Sequence, residues 1–338
     1  MSRRSRWALA GAGLMLVLAH GFASAAPDAA SAVRAEVESG RSVSDWLVRL
    51  HEASRRQAFT GTFVVSSPGG VLSSSRIWHV CDGRQQVERI ESLTGTPRAT
   101  VRRNDEVLTL FPESRLARLE RREAIGLFPE VLVAGNFDLP AHYQVEVVGR
   151  GRVAGHDADV LLFRPRDALR FGYRVWSERR TGLVIQMQTL ARDGKVLEQA
   201  AFSELRLDAP LKVEQLAVGM TKLDGYRLER AERIKTTAAS QGWSLRASVP
   251  GFRSVACYRG GDGGAVPSSL HWVFSDGLAS VSLFIEPFDR QRHTTELTAA
   301  EGATHTVTRR VQDAWVTAVG EVPGETLVRF TQALERRP

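Results

Sequence analysis

The sequence predicts an α+β protein: a curved antiparallel sheet with covering helices, followed by a smaller C-terminal α+β domain. Three observations carry that. First, from Phe171 to Leu207 three apolar-rich runs (171–177, 183–190 and 196–205) are separated by short polar turns at 178–182 and at Arg192-Asp193-Gly194. Asp-Gly fits tight turns whose central residues need positive φ, and the runs are rich in Val, Ile, Phe, Tyr and Trp, so this is a three-stranded meander. Second, short runs of period two alternate with turn residues from Phe59 onward. Third, the pattern breaks at Asp208-Ala209-Pro210 and restarts at Trp243. With 338 residues the chain is long enough for two domains.

In chain order, Arg3, Arg4 and Arg6 precede an apolar run from Trp7 to Ala19 and then Ala23-Ser24-Ala25. That order reads as a secretory signal peptide over 1–25, cleaved after Ala25, its apolar run too short to cross a bilayer comfortably. Residues 26–41 are small and polar, a flexible lead-in. Val43, Trp46, Leu47, Leu50 and Ala53 then recur at helical spacing behind the capping-box-like Ser42-Val43-Ser44-Asp45. The predicted strands are 60–66, 76–81, 85–90, 98–103 and 106–111. Ile125 to Pro129 and the following apolar stretch read as a short helix over the sheet. Strands resume at 143–148 and 159–164 and lead into the meander. There apolar residues occupy both parities, as in a sheet covered on both faces or curled around an apolar space. The large domain is thus 42–207, with 208–240 a connector carrying short pieces of helix. The small domain, 241–338, holds predicted strands at 244–249, 254–258, 269–274, 278–286, 306–310 and 314–320. A last helix opens at Pro323, with Leu327, Phe330, Thr331 and Leu334 on one face.

The formal charge is +7, but removing the three leading arginines leaves 42 basic against 38 acidic residues, a net of +4. Arginine is spread over every element rather than gathered in a stripe, so nucleic acid is not an expected partner. Cys81 and Cys257 are the only cysteines. An oxidising compartment permits a bridge between them, worth about 4 kcal/mol on the chain-entropy model, and two buried thiols are the alternative. No nucleophile elbow, Cys-x-x-Cys, phosphate loop or His-ligand spacing is present. Gly149-Arg150-Gly151-Arg152-Val153-Ala154 fits a degenerate dinucleotide fingerprint but precedes strand-like residues, so it reads as a turn. The expectation is a binding protein rather than an enzyme, without cofactor or metal. The aromatics Phe63, Trp78, Phe128, Trp176 and Phe202 are candidates to line an apolar cavity, or else simply to pack against helices.

Arg152-Val153-Ala154-Gly155, Pro165-Arg166-Asp167, Phe171-Gly172-Tyr173, Thr181-Gly182-Leu183, Leu197-Glu198-Gln199 and Phe202-Ser203-Glu204-Leu205 follow one another in the order seen in the RseB/MucB family. Ser275 to Glu286, SDGLASVSLFIE, resembles that family's C-terminal signature. The resemblance implies a periplasmic regulator of the sigma-E type envelope-stress response, with a large domain similar to the LolA/LolB carrier fold. It implies binding to the periplasmic segment of a membrane anti-sigma factor (RseA/MucA-like), protection of that segment from regulated proteolysis, and release by lipopolysaccharide or another lipid in the cavity. A homo-oligomer is compatible with it. Trp272, Asp276, Phe284 and Arg290 are the candidate partner contacts, Asp276 and Arg290 being expected at the surface. The rival reading is a lipid or lipoprotein carrier of LolA type, for which the large domain alone would suffice.

Overall fold

The computed structural model describes residues 43–70, 72–121, 137–220, 223–231, 233–260 and 269–336. The signal segment, the lead-in, Phe128 and the helix expected near it, and the Gly-rich loop after Gly260 lie outside the described residues.

Among the described residues twelve strands form one sheet centred on β1 (Phe59–Ser66). On one side the chain lays down consecutive antiparallel neighbours: β2 (Leu72–Cys81), β3 (Gln86–Ser92), β4 (Ala99–Arg103), β5 (Glu106–Phe111) and β6 (Leu116–Arg121). On the other side lie β11 (Val196–Leu207), β10 (Val184–Leu190), β9 (Gly172–Glu178), β8 (His156–Pro165) and β7 (Tyr143–Val153), the expected meander forming β9 to β11. The sheet curls. His156 at the start of β8 reaches across two strands to the Leu205 carbonyl on β11, 3.1 Å away. Register shifts in β7, β10 and β11 supply bends of the kind that add local twist. Helix α1 (Val43–Arg56) carries the predicted stripe, and Trp46 and Leu50 bury against Tyr173, Val175 and Val184. Helix α2 (Leu139–His142) opens β7, and α3 (Val213–Ala217) covers a separate patch of Val80, Val87 and Val101.

The second sheet runs β13 (Arg233–Lys235), β15 (Arg253–Gly260), β16 (Leu270–Ser275), β17 (Ser280–Pro287), β20 (Ala314–Gly320), β19 (Thr304–Val311) and β18 (Leu297–Glu301). Helix α4 (Gly324–Ala333) packs Leu327 and Phe330, both fully buried, onto Val281, Leu283, Val316 and Ala318. Truncating a side chain such as Phe330 in this core costs about 3–5 kcal/mol. The helix stops one residue short of the expected Leu334. There the backbone turns extended, and β21 (Leu334–Arg336) pairs with β14 (Trp243–Leu245), which is shorter than the strand predicted over 244–249.

Besides β21, whose first residue was expected on the last helix, four strands went unpredicted: β6, β12 (Arg227–Ala231, parallel to β6), β13 and β18. β6, β12 and β13 are rich in charge and β18 (LTAAE) shows no buried period; three of the four lie at sheet edges, where no face needs an apolar period, and every residue of β18 is exposed. The stretch 208–240 is therefore more than a connector: it lends α3 and β12 to the large sheet and β13 to the small one. Gly149 to Val153 is also not the expected turn. It is the end of β7, with the turn at Ala154-Gly155, and Gly151 is required because a Cβ there would sit 2.8 Å from the Trp176 indole nitrogen.

Candidate functional site

Each domain sends one loop into the other. Between β8 and β9, Leu169 leaves the large sheet and buries in the small-domain core, its carbonyl accepting from the Thr326 hydroxyl at 2.8 Å. Between β16 and β17, Leu278 goes the opposite way and packs on the cluster of Trp46, Tyr143 and Tyr173. Arg170 and Asp276 follow these loops to their crossing and pair there with both side chains wholly buried.

Every polar atom of that pair has a partner. Arg170 Nε donates to Asp276 Oδ2 at 2.8 Å, Nη2 to the Pro250 carbonyl at 2.8 Å, and Nη1 to the Asp167 carboxylate. Asp276 Oδ2 also accepts from the Tyr143 hydroxyl at 3.1 Å, while Oδ1 accepts from the Leu278 and Ala279 backbone N–H groups at 2.9 and 2.8 Å. The guanidinium lies over the rings of Phe252 (5.2 Å) and Tyr143 (5.9 Å). Burial, followed by the Asp276 carboxylate, pushes the Tyr143 hydroxyl well above its ordinary range, so it stays a donor. Gly277 completes the turn at φ +104°, and a Cβ there would lie 2.9 Å from Phe137 Cβ.

A second part of the junction has different electrostatics. Glu198 on β11 accepts a hydrogen bond from the Ala303 backbone in the β18–β19 turn, and its carboxyl is raised by burial first and by Glu301 among its neighbours. Opposite stands Glu321, just before α4; burial, then Glu198, pushes it up to about 7. Phe171 and His305 face each other nearby, ring centroids 5.7 Å apart. A third tie, Arg233 to the buried Glu120 at 3.1 Å, joins β13 to β6.

Of the cavity candidates, Phe63, Trp176 and Phe202 come together in one cluster with Phe59, Ile77 and Leu205, Phe63 meeting Phe202 edge-on at 6.2 Å. Trp78 does not join them. It neighbours Ile77 on β2 and so points to the other face, where it packs under α3 with Arg89 5.9 Å from its ring. Among the partner candidates, Phe284 (38 % exposed, stacked on His271 at 4.4 Å) and Arg290 face solvent. Trp272 is internal, donating to the Ser254 hydroxyl at 2.8 Å beside a hollow of about 510 Å³. Asp276, expected at the surface, is the buried half of the junction pair instead, because its turn is capped by the other domain. Both cysteines are free thiols here. Cys257 is buried in the small-domain core, which lifts its thiol to about 11, whereas Cys81 ends β2 in the other sheet. Arg170 and Tyr143 were missed from sequence; the available signal was a charge set between Leu169 and Phe171 in an otherwise apolar run.

Among the described residues no helix is long and apolar enough to cross a membrane, and no group of three or more His, Cys, Asp or Glu is arranged to hold a metal ion.

Comparison with known proteins agrees with this two-sheet architecture. The MucB/RseB N-terminal domain model matches residues 42–220 and the MucB/RseB C-terminal domain model matches residues 237–335. The chain is 32% identical over 303 residues to the Sigma factor AlgU regulatory protein MucB of Pseudomonas aeruginosa, covering 87% of this chain and 90% of the relative. It is 23% identical to the Sigma-E factor regulatory protein RseB of Escherichia coli K12, over 86% of this chain and 89% of that one. The crystal structure of MucB in complex with MucA(peri) superposes with a TM-score of 0.67 at 28% identity, covering 88% of this chain and all of that one. A crystal structure of MucB gives 0.62 at 26% identity, over 87% of this chain and 98% of that one. The chain belongs to the MucB/RseB family, a family of sigma-factor regulatory proteins and not of enzymes.

Proposed function

We propose that this protein is a periplasmic regulator that binds the periplasmic segment of a membrane-spanning anti-sigma factor, shields it from regulated proteolysis, and lets go when a lipid such as lipopolysaccharide occupies the large domain. The observation that carries the reading is the likeness, over 88% of this chain, to a MucB captured with MucA(peri). Export by a signal peptide cleaved after Ala25 belongs to the same reading, as does the assignment of Phe63, Trp176 and Phe202 to the lipid-holding face. The physical logic is linkage: lipid weakens the protein complex only by as much as it prefers a domain arrangement that the anti-sigma segment does not. A two-domain body with an adjustable acidic part in its junction, around Glu198 and Glu321, offers such arrangements, whereas a simple carrier needs only the first sheet. Protease protection tests the proposal. The anti-sigma segment is digested by its initiating protease with and without the mature chain, then with lipopolysaccharide added. Protection that lipopolysaccharide abolishes is expected; cleavage at one rate in all three mixtures would overturn the reading.

A further inference from the structure

Toward one end of the large sheet, the loop joining β3 to β4 overhangs a polar hollow of about 340 Å³. Ser73, Ser75, Ser92, Thr96, Arg98 and Phe111 line it, and no carboxylate is among the lining residues. The loop is clamped to β2: Leu93 N–H donates to the Ser74 carbonyl at 2.8 Å, and the Thr94 hydroxyl accepts from Ser74 N–H at 2.9 Å. Among the described residues, the hydroxyls of Ser73, Ser75, Ser92 and Thr96 and the guanidinium of Arg98 make no hydrogen bond or ion pair. An arginine with a ring of unused hydroxyls and no acidic neighbour in the lining is a donor set awaiting an acceptor. A planar fork and several O–H groups match the oxygens of a phosphate-type anion.

Register connects this hollow to the aromatic cluster. Phe202 pairs with Phe63, Phe63 with Ser75, and Ser75 with Ser92, so all four stand on one face. Ile90, two residues from Ser92, pairs with Thr100, and Thr100 with Thr109, which places Phe111 on that face as well. The face therefore passes from an apolar floor, where Phe63 and Ile90 are only half-buried, to a hydroxyl-and-arginine end.

We infer that this end is an oxyanion subsite, which takes the phosphate-type headgroup of an amphiphile whose apolar chain lies along Phe63 and Ile90. The inference rests on the reading that the large sheet holds lipid, and it adds which end holds the headgroup, which residues bind it and what charge it must carry. Unlike a carrier groove that accepts any chain, such a site discriminates by headgroup.

Calorimetric titration of the mature chain in phosphate-free buffer tests it, with dodecyl phosphate, dodecyl maltoside (same chain, neutral head) and inorganic phosphate as probes, each amphiphile below its micellar concentration. Dodecyl phosphate is expected to bind, and Arg98→Gln to weaken it about tenfold, the loss of one charge-assisted contact. The variant leaves dodecyl maltoside unchanged. Ser75→Ala with Ser92→Ala gives a smaller loss in the same direction, so the result does not hang on one substitution. Inorganic phosphate binding as tightly as dodecyl phosphate would show a free-anion site and overturn the headgroup assignment. Dodecyl phosphate bound equally by the parent and both variants would overturn the subsite while leaving lipid binding standing. If neither amphiphile binds the parent chain, the lipid reading fails and this inference with it.

Discussion

The two parts of the domain junction are built on opposite electrostatic terms. At the loop crossing, Arg170 and Asp276 are wholly buried and every oxygen and nitrogen is partnered. Around Glu198 and Glu321, two carboxyls face each other across the same junction, and one of them titrates near neutrality. A buried pair is costly to desolvate and stabilises little compared with apolar residues of the same shape, but breaking it is expensive. That makes the crossing a specificity device: it admits one relative placement of the sheets. The acidic side works the other way. It favours closure only while a proton is held, so one part of the junction is fixed and the other is adjustable.

Breaking the fixed side should have the largest effect. Arg170→Met leaves Asp276 buried without its charge partner, and urea unfolding should lose about 3–5 kcal/mol; adding Asp276→Asn, which removes the unpaired charge and keeps an acceptor for the Leu278 and Ala279 N–H groups, should restore part of it. Were the double variant as unstable as the single one, packing rather than charge would hold the crossing. Next comes Gly277→Ala, which combines a left-handed backbone with a clash on Phe137. Its thermal midpoint should drop by the equivalent of about 1–3 kcal/mol.

Glu321→Gln sharpens the comparison from the adjustable side. The native carboxyl holds its proton up to about 7 against an ordinary value of 4.5. The folded chain therefore binds more protons than the unfolded one between those values, and stability falls as pH rises through that window. Glutamine should remove the fall and stabilise the protein above neutrality by about 1–2 kcal/mol, discounted because the carboxyl keeps some contact with water. A pH–stability curve that Glu321→Gln leaves unchanged would contradict this. Tyr143→Phe is the smallest expected change. It removes one donor from Asp276 and should cost about 1 kcal/mol in the same unfolding assay.

How far the sequence could be read follows from the same contrast. The α1 stripe and the meander were legible because their burial is periodic along the chain: Trp46 and Leu50 share a helix face, and Asp193-Gly194 announces its turn. The edge strands were not, since a segment such as 297–301 has no buried face to impose a period. The junction was illegible for a different reason. Arg170 and Asp276 are 106 residues apart, and nothing local tells a buried partnered charge from a solvated one. Ser275-Asp276-Gly277 even reads as an exposed hairpin turn, and it is a hairpin turn, but one covered by the other domain. Of the aromatics singled out by residue type, Phe63, Trp176 and Phe202 come together in one cluster, while Trp78 lies on the opposite face by strand parity.

The most direct test of the account is the affinity of the mature chain for the periplasmic segment of its membrane anti-sigma factor, titrated with and without lipopolysaccharide. Tight binding that lipopolysaccharide weakens is the predicted result, with the coupling equal in both directions. Absence of binding to the segment would contradict the regulator reading at its centre. Affinity indifferent to lipopolysaccharide would keep the partner and remove the switch.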